Sequence, residues 1–199
     1  MEIEKRRVYA IVDFDALDQN VQAMEEKLPQ DVGMMAVIKT NAYGHGAKAI
    51  AKHLEDNDRI SGYAVATAEE ALELRKAGIG KMILILGYVF EKDYEDLILQ
   101  DIRFGIYRKD VAQALDAAAE KCHKKALIHI KIDTGMHRIG YPVCQESVEE
   151  IKEIAGLKHL CLEGIFTHFA RADEADKSYA KKAYGLFKDM IGALQKEDI

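Results

Sequence analysis

Long apolar runs are missing from this chain. No stretch approaches the roughly 18 to 20 uncharged apolar residues that span a bilayer, and the opening MEIEKRRVYAIVDFDALD lacks the apolar core of a leader peptide. These absences point to a cytoplasmic protein without a membrane partner. Cysteine is scarce and unpatterned: Cys122, Cys144 and Cys161 are odd in number and show no C-x-x-C spacing, which supports neither a disulfide framework nor a zinc site. No metal is expected. Runs of Lys and Arg beside aromatics, of the kind that track nucleic acid, are absent too, and the formal charge of -6 is modest and interspersed. Small molecules are therefore the expected ligands, and nucleic acid is not. The G-x-G-x-x-G turn that a doubly wound nucleotide domain places after an early strand does not occur either.

What is present is an alternation of short apolar runs with longer amphipathic stretches. At 199 residues the chain is long enough to bury a sizeable core. Candidate strands are MMAVIK at 34–39, GYAVAT at 62–67, MILILG at 82–87, IRFGIY at 102–107, ALIHIKI at 126–132 and LEGIFT at 162–167. Candidate helices are Asp15 to Leu28, Ala47 to Glu55, Ala68 to Ala77, Lys92 to Gln100, Lys109 to Cys122, Gln145 to Ala155 and Lys177 to Gln195. Thr67 followed by Glu70 fits a capping box, and Gly78 after Lys76 and Ala77 fits a helix stop. Near-continuous apolar strands alternating with helices imply a parallel sheet covered by helices, either doubly wound or a (β/α)8 barrel. The missing glycine-rich turn favours the barrel. Six runs are countable where closure takes about eight strands, so the barrel is expected to be incomplete here, stopping before the seventh.

In a barrel, functional residues gather at the C-terminal ends of strands. The unusual polar residues sit there: Lys39 ends the first run, Lys131 and Asp133 end the fifth, and His168 follows the sixth. In VIKTNAYGHG, residues 37 to 46, a lysine terminates an apolar strand and a loop rich in Gly, Asn and Tyr follows. A lysine in apolar surroundings offers a free amine to a carbonyl, which is what an aldehyde cofactor needs. Tyr43, with Gly44 and Gly46 beside it, brings a phenol and open backbone amides suited to a phosphate.

VIKTNAYGHG resembles the cofactor-lysine motif of alanine racemases, which are fold-type III pyridoxal-phosphate enzymes. KIDTGMHRIG, residues 131 to 140, resembles that family's second motif, and EGIFTHFARAD, residues 163 to 173, its third, in the same order. The resemblance, running from Val8 to Asp173, implies a pyridoxal 5'-phosphate cofactor held covalently by Lys39, which also serves as one of two bases that move the α-proton. It implies that Tyr43 binds the phosphate and that Arg138 lies beside the cofactor's phenolic oxygen and the substrate. Lys131 would be the lysine that many members carbamylate and pair with that arginine, and His168 would lie against the cofactor ring. The second base, a tyrosine given by the partner subunit of a homodimer, and the arginine at the pyridine nitrogen belong to a later β-rich domain that is not expected before Ile199.

One position departs from the pattern: where the family commonly reads T-G-M-G-R, this chain carries His137 in place of the second glycine. A similar histidine occurs in some serine-type racemases, so alanine is the expected substrate with serine as its competitor. Two other readings stay open at this point, a non-catalytic pyridoxal-phosphate-binding homeostasis protein of the same fold type and a cofactor-free binding barrel. As single residues, His45, His53, His123, His129, His137 and His159 are expected to be structural.

Overall fold

The computed structural model describes residues 8–199. The opening MEIEKRR, on which the expectation of no leader partly rests, lies outside them. Helix α1 (Phe14–Glu25) precedes strand β1 (Met34–Val37), after which come the single turn α2 (Lys39–Tyr43) and helix α3 (Ala47–Leu54). Strand β2 (Ile60–Val65) is followed by α4 (Ala68–Lys76), and β3 (Met82–Ile85) by a 3-10 turn at Glu91–Asp93 and α5 (Tyr94–Leu99). Strand β4 (Ile102–Ile106) leads to α6 (Lys109–Lys121). Strand β5 (Ala126–Asp133) leads to the two-residue β6 (Tyr141–Pro142) and α7 (Gln145–Ala155), and β7 (Leu160–Phe166) to α8 (Ser178–Gln195).

Every pairing is parallel, and the strands lie in chain order from β1 to β5 with β7 beside β5. A doubly wound sheet reverses its order at a switch point; among the described strands no reversal occurs, so the curled sheet is the barrel arrangement, incomplete as expected. All six anticipated strands form. Strand β6 was hidden from a hydropathy reading because it is only two residues long, pairing Tyr141 and Pro142 with Ile132 and Asp133 at the tip of β5. The helix anticipated from Lys92 to Gln100 splits at Tyr94 into the 3-10 turn and α5. Among the described residues no helix is long and apolar enough to cross a membrane.

The pleat of β5 shows how the sequence divides the two faces. Ala126, Ile128, Ile130 and Ile132 are wholly buried and join one cluster with Leu115 and Ala119 of α6 and Ile151 and Ile154 of α7. Successive side chains of a strand alternate, so His129, Lys131 and Asp133 project to the opposite, concave face. Among the described strands β1 pairs only with β2, and its flank opens on an apolar cleft of about 980 Å³ shared with α1. Helix α4 ends as Gly78 predicts: Gly78 adopts φ 87°, and the Ile79 N–H returns to the Leu74 carbonyl at 3.2 Å.

Because Ile128 is fully enclosed between sheet and helices, Ile128→Ala should lower unfolding free energy by about 2–5 kcal/mol. Leu99→Ala, at a side chain 56% exposed, should change it by no more than about 0.5 kcal/mol. Urea unfolding midpoints check both, and equal midpoints for the two variants would contradict this account of the core.

Candidate active site

The first candidate loop begins where β1 stops. Ile38 still donates its N–H to the Ala64 carbonyl of β2 at 2.9 Å, but its φ of -119° and ψ of 24° turn the chain out of the extended region. Lys39 therefore lies two residues past the strand rather than at its last position, and it is half-buried. The next four residues are left-handed: Thr40, Asn41, Ala42 and Tyr43 have φ of 52° to 54°. Such backbone costs roughly 1–2 kcal/mol per non-glycine residue, so the turn needs support from outside. It receives it at both ends. The Glu70 carboxylate accepts from Thr40 N at 2.5 Å, while Asn41 Oδ1 accepts from Ala47 N at 2.9 Å, tying the turn to the start of α3. Tyr43 ends the turn with its side chain 63% exposed at the same rim, and it makes no side-chain hydrogen bond to the described residues.

The second loop leaves β5. Lys131 is 5% exposed; its ammonium donates to the Ile132 carbonyl at 2.6 Å and lies 5.7 Å from the centre of the Phe166 ring. Burial pulls its pKa below the ordinary lysine range, Arg138 adds to the fall and Asp133 opposes it. Asp133 is already engaged: its Oδ1 accepts the N–H groups of Gly135 at 2.9 Å and His137 at 3.1 Å. Burial raises its carboxyl, but these amides and His137 outweigh burial and hold it below its usual range. His137 adopts φ 56°, which explains a glycine in the related pattern, and its Nδ1 lies 3.4 Å from Asp133 Oδ2. Arg138 is exposed and has no hydrogen-bond or ion-pair partner among the described residues, and Asp133, five residues earlier, does not pair with it. Tyr179 of α8 donates to the Gly135 carbonyl. A Cβ at Gly135, φ 122°, would meet that hydroxyl at 2.8 Å.

The third loop follows β7. Thr167 Oγ1 donates to the Ile132 carbonyl at 2.9 Å and lies 2.8 Å from Thr134 Oγ1, which ties the end of β7 to the end of β5. Next in the chain is His168. Burial lowers its pKa, and the charges of Arg138, Lys131 and Lys39 lower it further, in that order. Four candidates from three separated loops thus share one electrostatic neighbourhood on the concave rim, rich in cations. Tyr43 is not part of that set. Sequence reasoning missed Thr167, Tyr179 and the carboxylate of Glu70; the last had a signal, the T-x-x-E cap, though only its local half. Among the described residues no group of three or more His, Cys, Asp and Glu side chains is arranged to hold a metal ion. His45, His53 and His159 hold structural bonds, to the Ala42 carbonyl, Asp18 and Asp116 respectively.

A family model described as alanine racemase, N-terminal domain, matches residues 12–199. The chain is 41% identical over 198 residues to alanine racemase 2 of Caldanaerobacter subterraneus subsp. tengcongensis, a match covering 100% of this chain and 50% of that protein. Its fold superposes with a TM-score of 0.90 on the alanine racemase of Clostridium difficile in complex with cycloserine, at 41% identity over 92% of this chain and 50% of that one. On the alanine racemase of Bacillus anthracis with bound L-Ala-P the TM-score is 0.86, at 35% identity over 94% and 48% of the two chains. The chain spans about half the length of the curated relatives it matches.

The lowered pKa of Lys131 has a stability consequence with a definite sign. Between its folded value and the ordinary lysine value of 10.5 the unfolded chain binds more protons, so stability contributed here rises with pH through that window and is least below it. Lys131→Met removes the charge, and Thr167 still satisfies the Ile132 carbonyl. In buffer freed of carbon dioxide the variant should be the more stable at pH 7, with its advantage shrinking as the pH approaches 10.5. A wild type that is more stable at pH 7 and loses that advantage as pH rises would contradict the burial argument.

Proposed function

We propose, for a chain that belongs to the alanine racemase N-terminal domain family, that it carries the cofactor-binding half of an amino-acid racemase, with Lys39 as the residue that holds pyridoxal 5'-phosphate. The observation that carries this reading is the convergence on His168, after β7, of the charges of Arg138 and Lys131, from β5 and the loop that leaves it, and of Lys39, after β1. The donor set suits the group: a cation-rich rim fits a ligand bearing a phosphate and a phenolate. Asp133, the nearby acid, is occupied by backbone amides. Tyr43, exposed at the rim, offers its phenol to the phosphate, whereas the Gly44 and Gly46 amides expected to share that task are already spent on the Thr40 and Asn41 carbonyls.

When bound, the cofactor supplies an electron sink that makes the α-proton of an attached amino acid acidic. The remaining work belongs to the protein. Lys39 would hold the group, and its amine, once free, would take or return the α-proton on one face. Tyr43 would hold the phosphate, Arg138 would meet the phenolic oxygen and the substrate carboxylate, and His168 would steady the ring. Lys131, whose amine gives up its proton more readily than an ordinary lysine, adds to carbon dioxide with loss of one proton, giving a carbamate that neutralises and orients Arg138.

On this reading the substrate is alanine, with serine as competitor. The working protein is a cytoplasmic homodimer in which the other base comes from the partner. The cycloserine and L-Ala-P complexes of the related racemases support a small amino-acid ligand.

Adding pyridoxal phosphate should turn the protein yellow through the lysine-bound form. Lys39→Ala should abolish that band and lower racemisation, in the protein that carries this chain, by about 10²–10⁴-fold. A colourless wild type would reject the cofactor reading; a yellow protein that racemises neither alanine nor serine would favour a non-catalytic cofactor-binding role. His137→Gly, which suits φ 56°, should shift the ratio of kcat/KM for alanine over serine toward alanine by roughly 10-fold, the lower end of discrimination by one small contact. An unchanged ratio would remove His137 from the specificity account.

A further inference from the structure

The left-handed turn after β1 closes bonds from Ala42 N to the Ile38 carbonyl at 2.8 Å and from Gly44 N to the Thr40 carbonyl at 3.2 Å. Neither reaches the first amide of the left-handed run, Thr40 N. That donor goes to Glu70 Oε1 at 2.5 Å, and the other oxygen of the same carboxylate, Oε2, accepts from Ala66 N at 2.7 Å. Thr40 lies one residue beyond Lys39, and Ala66 is the first residue past β2. One carboxylate thus joins the C-terminal ends of two neighbouring strands.

The local pattern would send this side chain elsewhere. In a full capping box Glu70 would return to the Thr67 N–H. Here Thr67 Oγ1 does accept from Glu70 N, at 3.4 Å, but the carboxylate forgoes the reciprocal bond and reaches thirty residues back along the chain. It sits in the first turn of α4, where the helix dipole favours a negative charge. The charged groups around it are Glu69, Glu73 and Lys48, which line the same small cavity, with Lys48 paired to Glu73 at 3.3 Å.

We propose that Glu70 is the positioning residue for Lys39: by binding the Thr40 and Ala66 amides together it holds the left-handed turn, and with it the Lys39 amine, in the orientation that accepts the aldehyde. The inference rests on the reading that Lys39 carries the cofactor. In that attachment the amine nitrogen forms a bond to the aldehyde carbon, and the aldehyde oxygen leaves as water with the two amine protons. A carboxylate suits the task because both its oxygens only accept. Glutamine at this position would turn an N–H₂ toward one of the two amide donors, and aspartate is one methylene too short to reach both.

The test compares Glu70→Gln with Thr67→Ala, which weakens the cap of α4 but leaves the clamp in place. Attachment of pyridoxal phosphate is followed by absorbance and thermal unfolding is measured alongside. Glu70→Gln should slow attachment or weaken cofactor affinity by about 10- to 100-fold, the loss expected for a hydrogen bond to a charged group, with Glu70→Asp intermediate. Thr67→Ala should attach cofactor at close to the wild-type rate even where its Tm falls as far. If the wild type attaches cofactor and Glu70→Gln does so within twofold, or if both variants slow in proportion to their loss of Tm, the positioning role is overturned. If the wild type attaches none at Lys39, it is the cofactor reading that fails.

Discussion

Apart from the two-residue β6, each strand of this sheet crosses back through a helix to lie parallel to its neighbour, and each delivers its C-terminal end to the same rim. That constraint decides where chemistry is possible. Residues separated by more than a hundred positions, such as Lys39 and His168, reach the same rim because both follow strands that point the same way. The helices that make the return are what the apolar faces of the strands bury against, as Ile128 and Ile130 do against α6 and α7. Folding energy and site geometry therefore have one source.

The rim is shaped by backbone as much as by side chains. Four successive left-handed residues after Lys39 are costly, and the structure offsets them with bonds that reach out of the turn, to Glu70 in one direction and to the start of α3 in the other. The loop after β5 follows the same logic: Asp133 folds it through the Gly135 and His137 amides, and Tyr179 holds its outer side. Arg138 is left at the end of a braced loop with its guanidinium free of described partners. A braced cation without a counter-charge is suited to wait for an anionic ligand.

Much of this was legible in the sequence because period and burial go together. The alternation in ALIHIKI puts Lys131 on the face opposite three isoleucines, and the ends of β2, β4 and β5 fall within two residues of the apolar runs that mark them. Hydropathy says nothing, however, about the sign of φ. Val37, Ile38 and Lys39 read as one strand, yet the chain leaves the sheet at Ile38, and Thr-Asn-Ala-Tyr holds only one residue with a natural leaning to the left-handed region. Glu70 was legible only as a helix cap. Its second use spans thirty residues and depends on β1 and β2 being neighbours, which no local pattern encodes. The free state of Arg138 was hidden likewise, since Asp133 and Arg138 are close in sequence and their failure to pair follows from a turn that engages Asp133 first.

The central claim is that the amine held at the end of the left-handed turn is the one that binds the aldehyde cofactor. The most direct measurement is borohydride reduction of the protein after addition of pyridoxal phosphate, followed by proteolysis and peptide mapping. This account predicts a single labelled peptide with the cofactor fixed on Lys39. Label on Lys131 or Lys48 instead, or no label at all, would contradict it.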